Sequence, residues 1–387
     1  MAVLKWGVNP TKLDIYAYPG FSLTISKDLT ALTGVDFDQA VLKVADADGD
    51  VQSEIIVGDR FKDTLSDSYG QKIYIFDKSG TNIVRSKTLT FTSPTQTGYG
   101  LYYTDFAILN WNADNKPDIA LLDKNNRIDI YYSLQDRADG AAYTAYNRDA
   151  TIALPVQSGH EFSMIKAEYL TAYMSGPQSL VAFNAVGDGY GRRSVLYGLD
   201  HDYCYVAIYS AGSTATSKLS YFDLPGDYVC TDMDLLNWDD DATGTKELVI
   251  LGRNHASWYN IENILYAYNI NNLANSVSNE ITLPLSGSSG VYTYVDIDNM
   301  DASDLFAAKW NALASSSAYL YSNFMTVGGS GDMKFYSTRN LGALGETIVN
   351  NVWSMYGETS IGSGYLDGGG YDIAPIEWTG MTAPKIA

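Results

Sequence analysis

The chain has 387 residues, of which 46% are hydrophobic, and a formal net charge of −20 at pH 7. This length and apolar content allow a sizeable core, and repeat architectures often use such a length as one unit. The excess of 45 Asp and Glu over 25 Lys and Arg argues against a phosphate-binding surface, so we expect no nucleic-acid partner. No run of about 18 apolar residues occurs, which predicts no membrane span, and Met1–Gly7 lacks the apolar core of a signal peptide.

The first notable element is an acidic loop ahead of an Ile-Ile-Val run. Its positions one, three, five and nine are Asp46, Asp48, Asp50 and Glu54. Alternate residues of a tightly curled loop can aim their oxygens at one point, and Ca²⁺ takes six to eight oxygen ligands at about 2.3–2.6 Å. The loop therefore predicts a calcium site. It is not an EF-hand, because that motif needs flanking helices and an acid at position twelve, where this loop has Val57.

The same spacing of oxygen-bearing side chains recurs further along the chain. The second copy keeps two acids and has asparagine at the other two positions. The fourth copy is two residues longer. The fifth has Met300 at position five, where the neighbouring Asp301 could supply the missing oxygen. Beyond the first loop, the predicted calcium ligands are Asn110, Asn112, Asp114, Asp118, Asn237, Asp239, Asp241, Glu247, Asp296, Asp298 and Asp304.

Two further copies are poor metal sites. The third copy has no carboxylate at a ligand position, and the sixth has only two acids within a glycine run; their residues are Thr171, Tyr173, Ser175 and Ser179, then Asp367 and Asp372. Asp and Asn also favour ordinary solvated turns. Four such copies, three with one spacing and one widened, each ahead of an apolar run, favour a cation over that alternative, so we expect several structural calcium ions.

The ninth loop position recurs roughly every 60 residues, which is the signature of a repeat architecture. These anchor positions lie at 54, 118, 179, 247, 304 and 372. Each anchor begins a short apolar run, and most repeats then have an alternating run such as 127–131 and a more polar run such as 151–155. Such runs predict strands. We therefore predict an all-β fold, a β-propeller of six blades with four antiparallel strands each, or seven blades if the stretch 325–350 hides one.

The two ends of the chain complement each other. The last repeat has its anchor strand at Asp372 but reaches Ala387 without a third or fourth strand. The chain begins with two strand-like runs, 12–18 and 21–25, that would supply them. Closing the last blade with the N-terminal strands would remove an open sheet edge. The prediction is a single propeller domain spanning residues 1–387.

The loop sequence Asp46-Ala-Asp-Gly-Asp followed by Glu54-Ile-Ile-Val-Gly resembles the FG-GAP (VCBS-type) repeat of integrin α-subunit propellers and bacterial surface proteins. The loops that begin at Asn110, Asn237 and Asp296 resemble the same module. The resemblance implies that the loop metal is calcium and that it braces the blade hairpin. It also implies an extracellular or cell-surface location and a partner that is a protein or a glycan.

Two functional classes remain open from the sequence: a recognition or adhesion module, and a polysaccharide-degrading lyase or glycoside hydrolase on a calcium-binding propeller. No nucleophile elbow or zinc-protease motif occurs, and the three histidines lie in predicted loops, at His160, His201 and His255. Carboxylate pairs for glycoside cleavage stay possible because acids are abundant. Aromatic residues are candidates either for ligand stacking or for packing between blades; they are Tyr102, Tyr103, Tyr143, Tyr146, Trp258, Tyr259, Trp310 and Trp353.

Cys204 and Cys230 are the only cysteines. Two residues do not identify a redox compartment, so free thiols and a single disulfide both stay open.

Overall fold

The structure is a computed structural model of the whole chain. It describes residues 2–6, 10–17, 22–35, 37, 40–50, 52–59, 71–92, 103–123, 126–144, 147–155, 162, 164–168, 179–183, 203–216, 218–223, 228–236, 247–254, 263–269, 279–283, 303–308, 323–328, 332–337, 357–360 and 370–374.

Within these residues the chain is mostly strand. The helices are α1 (Leu29–Thr33) and one 3₁₀ helix (Leu134–Asp136). The strands, in chain order, are β1 (Ala2–Trp6), β2 (Lys12–Ala17), β3 (Ser22–Asp28), β4 (Ala40–Ala45), β5 (Glu54–Asp59), β6 (Gln71–Ser79), β7 (Asn82–Thr92), β8 (Tyr103–Leu109), β9 (Asp118–Asp123), β10 (Arg127–Tyr131), β11 (Ala142–Thr144), β12 (Ala150–Ala153), β13 (Met164–Glu168), β14 (Ser179–Phe183), β15 (Tyr203–Ser210), β16 (Lys218–Asp223), β17 (Tyr228–Leu236), β18 (Glu247–Asn254), β19 (Asn263–Asn269), β20 (Asn279–Leu283), β21 (Ser303–Ala308), β22 (Asn323–Gly328), β23 (Asp332–Ser337), β24 (Gly357–Ser360) and β25 (Gly370–Ala374).

The described strands form six sheets that follow one another along the chain. The first sheet has the order β4-β5-β6-β7-β11, and the second has β8-β9-β10-β12. The next three are β13-β14-β15-β16, β17-β18-β19-β20 and β21-β22-β23-β24. The last sheet, β25-β1-β2-β3, combines both ends of the chain. Neighbouring strands are antiparallel except for β11, which runs parallel to β7.

Successive sheets pack on one another through their first strands. Strand β4 contacts β8, β8 contacts β13, β17 contacts β21, and β25 contacts both β21 and β4. The third and fourth sheets meet through β15 and β17. Short antiparallel sheets that pack side by side through their inner strands are the arrangement of a β-propeller. The all-β prediction is confirmed, and the propeller prediction is supported.

The core lies between neighbouring sheets, which explains the uninterrupted Ile-Ile-Val run of β5. Ile55 and Val57 of β5 pack with Leu4 of the last sheet. Ile56, between them in sequence, packs with Tyr103 of the second sheet. Successive side chains of a strand point to opposite faces, so a strand covered on both faces needs a continuous apolar run rather than an alternating one.

Most predicted strands are present, but the anchor strand occupies two different places in the sheets. In the first four sheets the anchor begins the second strand, at the start of β5, β9, β14 and β18. Asp304 and Asp372 lie instead on β21 and β25, which are first strands. The repeat register was therefore wrong by one strand in the last two sheets. In the predicted insertion 325–350, the described strand residues belong to β22 and β23 of the fifth sheet.

The N-terminal region contributes three strands to the last sheet, whereas the sequence predicted two. Strands β2 and β3 are the predicted third and fourth strands. The additional one is β1, which pairs antiparallel with β25 so that Leu4 lies opposite Asp372. Leu4 is fully buried. The signal in the sequence was the short Ala-Val-Leu-Lys-Trp run.

Candidate cation loops

The first loop connects β4 to β5 and brings three of its predicted ligands together. One carboxylate oxygen from each of Asp46, Asp48 and Asp50 lies within 4.8 Å of the other two. The loop curls because the backbone N–H of Gly49 donates to Asp46 Oδ1 at 2.6 Å and that of Asp50 donates to Asp48 Oδ1 at 3.1 Å. Gly49 has a φ of +84°, which glycine adopts without steric cost.

The carboxylates of the first loop are mutually unfavourable as charges. Burial raises the pKa of Asp48, and the neighbouring carboxylate of Asp50 adds to the effect. Like charges this close repel one another, and a cation between them reverses the sign of the interaction. Three carboxylate oxygens around one point are a donor set that suits a hard cation such as calcium. The residues present therefore fit the predicted metal.

Glu54 has a different role from the three aspartates. Its side chain is 4% exposed, and its Oε2 accepts a hydrogen bond from the backbone N–H of Ala47 at 2.6 Å. Burial raises the pKa of Glu54 to about 8, and the charges of Asp48 and Asp46 contribute to that increase. Glu54 joins the start of β5 to the start of the loop, and it is not part of the group of three convergent carboxylates.

The second loop connects β8 to β9 with the same kind of curl. Asn112 Oδ1 accepts the N–H of Asp114 at 3.1 Å, and Asp114 Oδ1 accepts the N–H of Lys116 at 2.9 Å. Asn110, at position one, has a buried Oδ1 that finds no hydrogen-bond partner among the described residues. A buried amide oxygen without a partner is costly, and a cation ligand at this oxygen would remove that cost. The second loop also fits a cation.

Asp118 takes the place in the second loop that Glu54 has in the first. Its side chain is fully buried. One oxygen accepts the N–H of Trp111 at 2.8 Å and that of Asn112 at 3.3 Å. The other accepts the N–H of Ser133 at 2.9 Å. Burial raises the pKa of Asp118, and these hydrogen bonds oppose the increase. Position nine is therefore a buried brace that closes each of these two loops, a role that spacing alone did not reveal.

The other predicted ligands are only partly within the described residues. Glu247 is 2% exposed and begins β18, and Asp304 lies on β21. The remaining predicted ligands lie outside the described residues; they are Asn237, Asp239, Asp241, Asp296 and Asp298. Of the two poor copies, Ser179 begins β14 and Asp372 lies on β25, and the rest of their residues are also outside.

Two of the aromatic candidates pack in the core and are not available to a ligand. Tyr103 is 1% exposed and Tyr143 is fully buried. Both ring centroids lie within 6 Å of the Phe91 ring, at 5.6 Å and 4.9 Å. For these two residues packing between sheets is the correct reading and ligand stacking is wrong. The other aromatic candidates and the three histidines lie outside the described residues.

No protein-family model matches the chain, and no curated protein is similar to it. Solved structures resemble it weakly. One is BBS1N in complex with ARL6DN, soaked with lead: 11% identity, a TM-score of 0.42, and coverage of 84% of this chain and 71% of that chain. Another is the Dos1 propeller, with 10% identity, a TM-score of 0.38, and coverage of 85% and 66%. Among the described residues, no helix is long and apolar enough to cross a membrane.

Proposed function

We propose that the chain is a calcium-stabilised recognition or adhesion module, extracellular or at the cell surface, that binds a glycan or a protein partner. The observation that carries the calcium part is the convergence of Asp46, Asp48 and Asp50, with one oxygen of each within 4.8 Å of the others. The partner classes follow from the resemblance of the loops to FG-GAP repeats. Extracellular calcium-binding modules work with dissociation constants of about 10⁻⁴–10⁻³ M, which suits sites as exposed as the first loop.

The proposed architecture is a closed ring of six blades. Its support is the pairing of β25 with β1 and the packing of β25 against β4, because these contacts join the last sheet to the first. A ring closed in this way leaves no sheet without a neighbour on either side. Removing β1 from the chain should therefore destabilise the first and last sheets together.

The cation has a structural role in this proposal, not a catalytic one. The first loop is a hairpin connection between two inner strands, and its oxygens already bond to the backbone of their own loop. A cation there would neutralise repelling carboxylates and hold the two strands at a set separation. A ligand that binds only the folded state stabilises it by RT ln(1 + [L]/Kd), about 2.7 kcal/mol at a hundredfold excess over Kd.

Thermal unfolding with calcium and with excess chelator tests the metal. We expect a higher melting temperature in calcium, and a smaller increase for Asp48→Asn. Asp28→Asn is the matched control, because it removes the same charge at the start of α1, where Asp28 caps the helix and asparagine caps equally well. An identical melting temperature with and without calcium would refute the metal proposal.

Binding to a glycan array, together with an assay for release of reducing ends from polysaccharides, tests the functional class. Binding without turnover is the expected result for a recognition module. Turnover that persists through repurification would favour the polysaccharide-degrading alternative instead. Binding to neither glycans nor extracellular proteins would contradict the recognition proposal.

A further inference from the structure

An excursion of the second sheet lies across both cation loops and the outer edge of the first sheet. We call residues 133–144, between β10 and β12, the strap. It contains the 3₁₀ helix and β11. Its last residues pair with β7 in the parallel direction, with Tyr143 opposite Phe91. The strap thus belongs to the second sheet by sequence and to the first sheet by hydrogen bonding.

The strap begins on the second loop. The N–H of Ser133 donates to the brace Asp118 at 2.9 Å, and the N–H of Leu134 donates to the Pro117 carbonyl at 2.7 Å. Lys116, in the same loop, forms an ion pair with Asp136. The position of the first strap residues therefore depends on the conformation of the loop from Asn110 to Asp118.

The same part of the strap also contacts the first loop. A Cβ atom at Gly49 would overlap with Oε1 of Gln135, so the Gln135 side chain lies directly against the Gly49 backbone. Lys87 lies beneath this contact: its Nζ donates to the carbonyl oxygens of Leu134 at 3.0 Å and Gln135 at 3.3 Å. The negative charge of Asp48 also favours the charged form of the Lys87 ammonium group. The first loop, Lys87 and the strap form one contiguous unit.

Beyond the loops, the strap closes the outer edge of the first sheet. The N–H of Gly140 donates to the Thr88 carbonyl at 2.9 Å, and the N–H of Thr90 donates to the Ala141 carbonyl at 3.2 Å. Tyr143 fills the space under this edge, fully buried. These backbone bonds hold the strap against the sheet.

We propose that the strap couples the two cation loops, so that calcium at either loop strengthens strap closure and each loop binds calcium more tightly when the other is loaded. The inference rests on the proposed calcium function. Calcium orders the loop that it binds, and an ordered loop offers the strap a defined surface at Gln135 or at Ser133. Coupling between two sites is reciprocal by thermodynamic necessity. The strap is the physical element that both loops contact.

Calcium titration combined with amide hydrogen exchange tests this coupling in the full chain. The readouts are calcium affinity by calorimetry and exchange at Gly140 and Thr90. We expect calcium to slow exchange at these amides about fivefold or more, the lower end of typical couplings. In Asp48→Asn, calcium affinity at the second loop should fall by a similar factor. Gln135→Ala should remove most of this dependence while leaving calcium binding at both loops.

Gly49→Ala and Gly80→Ala form a matched pair for the strap contact. Both glycines have positive φ, +84° and +62°, but a Cβ at Gly80 meets nothing within 4 Å. Only Gly49→Ala should speed exchange at Gly140. Calcium binding at the first loop without any change in strap exchange would overturn the coupling and leave the proposed function intact. Absence of calcium binding at both loops would overturn both.

Discussion

Replacing Asp118 by alanine removes a fully buried carboxylate that holds the second loop closed. Its two oxygens accept short hydrogen bonds from the backbone N–H groups of Trp111 and Ser133, at 2.8 and 2.9 Å. After the substitution the buried N–H of Trp111 has lost its acceptor, and so has the part-buried N–H of Ser133. The longer bond from Asn112, at 3.3 Å, contributes less because hydrogen bonds weaken with distance.

The expected cost in unfolding free energy is about 3 kcal/mol. A hydrogen bond to a charged group contributes roughly 1.5–3 kcal/mol, so two bonds give an upper range of about 3–6 kcal/mol before any correction. Burial of the carboxylate opposes this gain, because it raises the pKa of Asp118 and so disfavours the charged form. The lower end of the range is therefore the better expectation.

Denaturant unfolding in excess chelator measures this cost without any contribution from a bound cation. Asp114→Ala is the matched control: Asp114 is exposed and accepts the N–H of Lys116 at 2.9 Å, so we expect a loss below about 1 kcal/mol. Equal effects of the two substitutions in chelator would refute the brace. In calcium, Asp114→Ala should lose additional stability, because it then removes a ligand.

Three further predictions concern single side chains. Tyr143→Phe should leave the free energy of unfolding unchanged or slightly raised, because the buried Tyr143 hydroxyl finds no partner among the described residues. Tyr131→Phe should lower the free energy of unfolding by about 1 kcal/mol, because it loses a 3.2 Å hydrogen bond to the Thr144 carbonyl. In chelator, stability should fall as pH rises between about 4.5 and 8, because the folded state holds a proton on Glu54 that the unfolded state releases; Glu54→Gln should remove this dependence. Asp105→Ala should cost about 2–3 kcal/mol, since it leaves Lys43 without its 3.1 Å partner.

Each of these predictions has an outcome that would contradict it in denaturant or thermal unfolding. For the tyrosines it is a larger loss for Tyr143→Phe than for Tyr131→Phe. The pH prediction would be contradicted if the stability of the wild-type protein rose with pH over that window while the stability of Glu54→Gln did not. For Asp105, full stability of the alanine variant would contradict the ion pair, and adding Lys43→Met should recover part of the loss if the unpaired charge is its cause.

The loop motif and the strand pattern could be predicted from the sequence because both are local. The three first-loop aspartates converge as their alternate spacing predicted, since a curled loop of a few residues leaves little freedom. Strand β10 begins and ends where its alternating run does, at Arg127 and Tyr131. The short apolar run at Ile55 likewise predicted a strand, which the structure has as β5.

The features that the loop spacing did not predict depend on contacts between residues far apart in the chain. Whether an anchor strand is the first or the second in its sheet is decided by which strand pairs with it, and β25 pairs with β1 from the other end of the chain. The brace role of Asp118 depends partly on Ser133, and the burial of Tyr143 depends on pairing with β7, a strand about 50 residues earlier in the chain.

The sequence by itself therefore determined most of the strands, their approximate period and the carboxylate loops, because these follow from side-chain alternation and short-range turn chemistry. The tertiary structure decided which strands share a sheet, which aromatic residues are buried, and how the strap reaches both loops. These depend on hydrogen bonds and packing between segments that the chain order leaves unspecified. The strap illustrates the difference: its residues read as an ordinary connection, and only their pairing with Thr90 and Phe91 places them on the first sheet.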